Sequence, residues 1–349
     1  MLFRKNRDQC EHKIRIGILG AGSVAKDLHL PVLVNIPDVR ISWICDKVDQ
    51  RARQLAKLFK IPAVFSDIEQ CSDVDIVLVA IPVGFRQKVM HHIFLRGWHA
   101  FCEKPFAVSL TDYGQYIAEA RANNVQVGAG MVRRYGSATL MAKKIVHEGY
   151  FGPVVEVWAN EGTRSKRTGQ EAGWYMTDVK AIGGGVLMET GSHLVDQICT
   201  ILDVNAFRLE RCIQRKYEGL EFETKFAGAV STEREGDIPC KFHVSVLEDL
   251  CNGIFIKFSN LVLKCGLFFQ DPLELMTVQG TPIARFDIDG GAKTIAQAFF
   301  LEWKDFLDQC ISGTPSIISA DTTRQSIAII EQCYKNAEIL DVTDTASRY

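Results

Sequence analysis

Two patterns of apolar and polar positions follow one another along this chain, and the change falls near Met131. Before it, short, mostly apolar runs alternate with amphipathic stretches. The apolar runs are Ile14 to Leu19, Ile41 to Cys45, Ala63 to Phe65, Val74 to Ile81 (stopped by Pro82), Phe101-Cys102 and Val125 to Gly128. Helical periodicity fills the gaps at roughly 23–33, 48–59, 85–96 and 109–123. Strands that are apolar throughout and separated by helices predict a parallel sheet covered on both faces. After Met131 the strands alternate in period two. Val154 to Trp158 is one, and from about 207 to 280 there are several, such as Leu261 to Cys265. Helices are expected near 136–149, 187–202, 293–311 and 322–338. The expected fold is α/β, with a Rossmann doubly wound parallel sheet in residues 1–131. An α+β domain with a large, mostly antiparallel open sheet is expected in residues 132–349.

The first strand breaks into Gly20-Ala21-Gly22-Ser23-Val24-Ala25, a G-x-G-x-x-A turn opening a helix. Gly20 suits the tight turn, Gly22 lets a pyrophosphate approach the backbone, and Ala25 lets the helix pack closely. The N–H groups at that helix start, Ser23 included, would hold phosphate. Asp46 ends the second strand, about 20 residues past the glycines, where an acidic side chain binds an adenosine ribose. A Gly-rich turn with no ligand would leave the placement of Asp46 unexplained. Asp46 favours NAD over NADP, because a carboxylate repels a 2′-phosphate. Lys47 and Arg51 lie close enough in sequence to reach such a phosphate, so NADP stays open.

Composition narrows the remaining choices. A net charge of -2 points to neither nucleic acid nor an anionic membrane surface. No apolar stretch approaches the roughly 20 residues that span a bilayer. The short leader before Lys13 is largely polar (Arg4, Lys5, Arg7, Asp8, Glu11), with no apolar signal region. The cysteines number eleven, are scattered and form no C-x-x-C, which suits small apolar fillers in a reducing compartment. A cytoplasmic protein without disulfides or structural zinc is expected. His91, His92 and His99 lack a Cys or acidic partner at metal spacing and read as helix-surface and turn residues; no metal site is expected.

Two further clusters carry chemistry. Glu103-Lys104-Pro105 follows the fifth strand, and Pro105 confines the preceding residue to extended geometry. A lysine at a strand's carboxyl end faces the crevice where doubly wound sheets bind ligands, and can hold a substrate oxygen or donate a proton. On spacing alone it is equally a surface lysine before a turn. In Gly183-Gly184-Gly185-Val186-Leu187-Met188-Glu189-Thr190-Gly191-Ser192-His193, a helix would put Glu189 and His193 on one face, as it would His193 and Asp196. A carboxylate beside an imidazole fixes its tautomer and raises its basicity. The plain alternative is a helix start with a solvated glutamate and a hydrogen-bonded histidine.

Together, Gly20/Gly22/Ala25, Asp46, Glu103-Lys104-Pro105, Arg133-Arg134-Tyr135 and the Gly-rich E-x-x-x-H segment stand in the order and at the intervals of one family. From about Lys13 to the last helix the chain resembles the Gfo/Idh/MocA oxidoreductases, the glucose–fructose oxidoreductase and inositol dehydrogenase group. The resemblance implies hydride transfer between NAD(H) or NADP(H) and a sugar or polyol carbon, in a homodimer or homotetramer. It implies that Lys104 and His193 act at the reacting hydroxyl, with Glu189 beside His193, and that Pro82, Arg51 and Glu103 belong to the cofactor site. Glu189 stands where the family usually has Asp, and Arg86 stands at or near a position where it often has His. Arg86 is read as sitting on a helix face, with cofactor contact the alternative. The loop Arg164 to Gly169 is expected to border the substrate, and its cations suggest an anionic or nucleotide-linked sugar. Arg133 and Trp174 are further substrate candidates, although Trp174 and Tyr175 suit an aromatic core equally. Two other functions share this fold: a redox-neutral, NAD-using glycosidase or lyase, and a non-catalytic dinucleotide-binding sensor. The presence of both Lys104 and His193 counts against the sensor.

Overall fold

β1 (Ile14–Leu19), the apolar run leading into the glycines, lies inside a six-stranded sheet. The structure is a computed structural model that describes residues 13–164, 178–217 and 219–341. The other strands are β2 (Val39–Cys45), β3 (Val64–Phe65), β4 (Ile76–Val79), β5 (His99–Glu103) and β6 (Val127–Gly130). Their order is β3-β2-β1-β4-β5-β6, and every neighbouring pair is parallel. Ile16, Ile18 and all of β4 are fully buried, which is why these strands read as continuous apolar runs. The chain winds outward from β1 to β3, then returns to the other side of β1 with β4. That reversal leaves a crevice at the strands' carboxyl ends. Covering helices are α1 (Leu30–Leu33), α2 (Asp49–Phe59), α3 (Arg86–Leu95) and α4 (Leu110–Ala122). A wider, i→i+5 turn over Ala25–His29 leads into α1.

The second sheet has nine strands: β7 (Glu156–Gly162), β8 (Ala206–Tyr217), β9 (Leu220–Thr232), β10 (Gly236–Ser245), β11 (Gly253–Lys257), β12 (Leu261–Cys265), β13 (Leu273–Thr277), β14 (Pro282–Phe286) and β15 (Glu338–Asp341). Their order is β14-β13-β12-β11-β7-β10-β9-β8-β15. The pairs are antiparallel except β7 with β10 and β8 with β15. α5 (Ser137–Glu148), α6 (Val179–Ile182) and α7 (Ser192–Leu202) precede β8, and α8 (Ile295–Ser312) and α9 (Arg324–Asn336) are the last helices. Alternation sets the core: Ile238, Cys240, Phe242 and Val244 of β10 face inward and join Leu194, Ile198 and Ile201 of α7 and Ile329 of α9. Among the described residues, no helix is long and apolar enough to cross a membrane.

The chain divides into two compact units, and the second begins in earnest at Arg133. The sequence expectation placed everything from 132 to 349 in the second domain. Residues 295–322 instead belong with the six-stranded sheet. Trp303 of α8 stacks on Phe101 of β5 at 4.4 Å between centroids, and Phe306 meets the same ring edge-on. The Ala129 N–H of β6 donates to the Ile318 carbonyl at 2.9 Å. Amphipathic periodicity tells that α8 has an apolar face, not which sheet it covers.

In the second unit a buried ion pair ties α7 to the segment before α5. Arg134 Nε and Nη2 donate to the two Asp196 oxygens at 2.7 and 2.5 Å, with both side chains 3% exposed. Removing one partner strands a charge in the core. Arg134→Met should therefore lower stability by about 3–5 kcal/mol. Adding Asp196→Leu should restore most of it, because no charge is then left unpaired. Urea unfolding followed by circular dichroism measures both; a double variant as unstable as the single one would show that the loss is not one of pairing.

Candidate active site

The glycine turn after β1 leaves the room that a phosphate would need. Gly20 has φ +105°, and a Cβ there would lie 2.4 Å from the Ala80 carbonyl oxygen, so no other residue fits. Ala25 is fully buried where the helix crosses the sheet. Gly22 and Ser23 are exposed, and no atom lies within 4 Å of where a Gly22 Cβ would stand. That open space beside the helix start is what a pyrophosphate requires. Asp46 Oδ2 accepts the Ala21 N–H at 2.7 Å, and Oδ1 accepts the Val48 N–H at 2.7 Å. A carboxylate has about four acceptor sites, so each oxygen retains one for a ribose hydroxyl. Asp46 therefore also ties the cradle to β2, a task its sequence position does not reveal. Lys47 and Arg51 are exposed just beyond it, and Pro82 is half-buried just beyond β4. The residues present fit a dinucleotide.

Lys104 follows β5 directly, on the same carboxyl edge of the sheet, and is half-buried; the Lys104–Pro105 peptide is cis. Arg86 does not sit on a solvated helix face, as expected from sequence. It heads α3 but is 2% exposed, with its guanidinium turned inward to backbone carbonyls: Nε donates to Ile81 at 2.9 Å, and Nη1 to Glu103 at 2.5 Å and Pro105 at 2.6 Å. The Glu103 side chain was expected among the cofactor-binding groups. It is 7% exposed and turned inward instead, toward His29 and the Lys104 N–H. Burial alone would raise the Glu103 carboxyl; the His29 hydrogen bond and the Lys104 and Arg86 charges outweigh it, and the group is held below its usual range.

In the second unit, Glu189 falls in a second wide turn, Leu187–Gly191, and His193 in the first turn of α7. The four-residue spacing between them thus crosses the junction of that turn with α7. Asp196, expected on the His193 face, is taken by Arg134. The approach to this segment is anchored by groups that carry no motif. Glu221 accepts the Leu187 N–H at 3.0 Å, Thr224 Oγ1 at 2.6 Å and the Tyr334 hydroxyl at 2.8 Å. The Tyr334 oxygen in turn accepts the Gly185 N–H at 3.0 Å and the Met188 N–H at 3.2 Å. Burial pushes the Glu221 carboxyl up, against these hydrogen bonds. A Cβ on Gly185 would stand 2.1 Å from the Glu221 carbonyl oxygen, which explains that glycine.

The substrate candidates fare differently. Arg133 makes a two-pronged pair with Glu161 at 2.8 and 2.6 Å and lies over the Phe268 ring. Arg164 is exposed and donates through Nε to the Leu247 carbonyl. Trp174, Tyr175 and the cations Lys166 and Arg167 lie outside the described residues. Of the histidines near α3, His91 is exposed and pairs with Glu119, whereas His99 opens β5 and accepts the Gln126 N–H through Nδ1. Glu223, His243 and Glu248 place three potential ligand atoms within 4.8 Å of one another. Arg215 and Lys225 already neutralise Glu223, and Lys225 also reaches Glu248. Burial would raise Glu223, but its bonds to His243 and Lys225 bring it down to about 2. A metal ion there would have to displace those cations.

The profile for an oxidoreductase family with an NAD-binding Rossmann fold, Gfo/Idh/MocA, matches residues 14–131, and that for the Gfo/Idh/MocA C-terminal domain matches residues 139–249. An uncharacterized oxidoreductase of Schizosaccharomyces pombe is 25% identical over 264 residues, 70% of each chain. D-glucoside 3-dehydrogenase of Escherichia coli is 24% identical over 198 residues, so the match spans 56% of each chain. Among solved structures, a 3-ketoreductase from Actinomadura kijaniata, in complex with TDP-benzene and NADP, superposes with a TM-score of 0.81 at 16% identity. That match covers 95% of this chain and 99% of the other, and shows the shared fold. With both of its domains matched in order, this chain belongs to the Gfo/Idh/MocA family of NAD-binding oxidoreductases.

Proposed function

We propose that this protein transfers a hydride between NAD(P)(H) and a CH–OH carbon of a sugar, a polyol or a sugar derivative. The observation that carries this reading is the placement of Lys104. It stands at the carboxyl end of β5, on the edge of the sheet where the glycine cradle and Asp46 also stand. A bound nicotinamide supplies the two-electron acceptor or donor. In the oxidising direction, the His193 imidazole takes the hydroxyl proton as the C–H bond breaks and its electron pair leaves as hydride. The Lys104 ammonium holds the oxygen, on which negative charge develops until the carbonyl forms. Glu189 orients the His193 ring. NAD is the expected cofactor because Asp46 faces the ribose position, and Lys47 and Arg51 leave NADP within reach. The E. coli relative is named for dehydrogenation of a glucoside, which supports a sugar substrate. Arg164 and the cations after it support an anionic or nucleotide-linked one. A homodimer or homotetramer in the cytoplasm completes the reading.

The test is to mix the protein with NAD or NADP and a panel of polyols, sugars, sugar phosphates and nucleotide sugars, and to follow absorbance of reduced nicotinamide. Lys104→Ala should lower turnover by about 10²–10⁴-fold with cofactor affinity retained. Near-normal turnover would remove Lys104 from the reaction. Asp46→Ala should weaken binding of both cofactors in calorimetry, since the cradle loses its tie to β2. It should also narrow the gap between them, and an unchanged ratio would assign the choice to another residue.

A further inference from the structure

We propose that His29, Glu103, Arg86 and Trp303 form one buried device that positions Lys104, and that only a carboxylate at residue 103 can complete it. The inference rests on the role of Lys104 given above. The main chain around Lys104 is held at three points by two charged side chains. Its N–H donates to Glu103 Oε2 at 3.1 Å. The carbonyls of Glu103 and Pro105, on either side of it, both accept from the same nitrogen, Arg86 Nη1. The second Glu103 oxygen, Oε1, lies 2.7 Å from His29 Nε2, and Trp303 Nε1 lies 2.9 Å from His29 Nδ1.

The donors and acceptors in this chain have a single solution. An indole N–H can only donate, so His29 Nδ1 accepts. The imidazole proton is then on Nε2, and it donates to Glu103. Glu103 must accept at both oxygens, from His29 at one and from Lys104 at the other. A glutamine of the same shape offers one oxygen and one NH₂, so in either orientation it sets a donor against a donor. His29 cannot yield by moving its proton to Nδ1 while Trp303 donates there. His29 and Trp303 are fully buried, and the edges or faces of Phe101, Phe299 and Trp303 surround the imidazole at 4.8 to 5.8 Å between centroids. Solvent therefore offers no substitute partner. None of these four side chains need touch substrate; they are positioning residues.

The geometry yields a reversal that a merely structural role would not. Glu103→Gln should keep NAD affinity in calorimetry while lowering kcat by about 10²-fold with little change in KM, the scale expected when a reacting group is misplaced by about 1 Å. Adding Trp303→Phe removes the indole donor. His29 can then carry its proton on Nδ1 and accept the glutamine NH₂ through Nε2. The double variant should regain much of the lost kcat even though it unfolds at a lower temperature than Glu103→Gln alone. If Glu103→Gln turns over like the wild type, or if the double variant loses kcat in step with its stability, the proposal is overturned. Should the wild type itself turn over no substrate in the panel, the functional reading fails on its own terms. The positioning is then read from labelling by acetic anhydride, mapped by peptide mass spectrometry. Glu103→Gln should change the labelling rate of Lys104 relative to exposed Lys57 and Lys88, and Trp303→Phe should bring it back; an unchanged Lys104 rate overturns the proposal.

Discussion

Backbone N–H and C=O groups taken out of water need partners, and an unmet one costs about 1–3 kcal/mol. Regular strands and helices meet that demand internally; turns built for ligands do not. In this protein the same remedy recurs wherever the chain leaves regular structure at a candidate site. Asp46 accepts the Ala21 N–H in the glycine turn, Glu103 accepts the Lys104 N–H after β5, and Glu221 accepts the Leu187 N–H ahead of α7. Arg86 performs the converse service for three carbonyls. Each of these charged side chains fixes a main-chain shape at its turn.

The fold was largely legible because its signals are local. Unbroken apolar runs gave a parallel sheet, and period-two runs gave an antiparallel one. Local signals also account for the main misreading. The helix at 295–312 is amphipathic, and that pattern is satisfied equally by either sheet. Only the fit of Trp303 and Phe306 onto Phe101 decides where it goes.

The candidate site was legible only in its backbone requirements, as at Gly20, whose φ is +105°. It was not legible where the partner is remote. Arg86 sits in helical spacing among polar neighbours, and nothing in that spacing reveals that it turns inward to the carbonyls of Glu103 and Pro105. Glu221 and Tyr334 are 113 residues apart and look like an ordinary strand glutamate and helix tyrosine. Helical periodicity over 187–202 foretells a helix, not that its opening, Leu187–Gly191, is a wide turn. The other such turn, over Ala25–His29, follows the glycine cradle and carries His29. Turns of this kind often mark functional segments, and no residue-type signal foretold either.

The return of α8 to the first sheet has a consequence for biosynthesis. His29 and Trp303 are 274 residues apart, yet they meet in one buried hydrogen bond. Domains are generally completed in the order they leave the ribosome. Here the six strands of the first sheet have all emerged by Gly130, but the helix that covers Phe101 has not. Until residues 295–322 follow, the nascent chain carries a finished parallel sheet with a bare aromatic face.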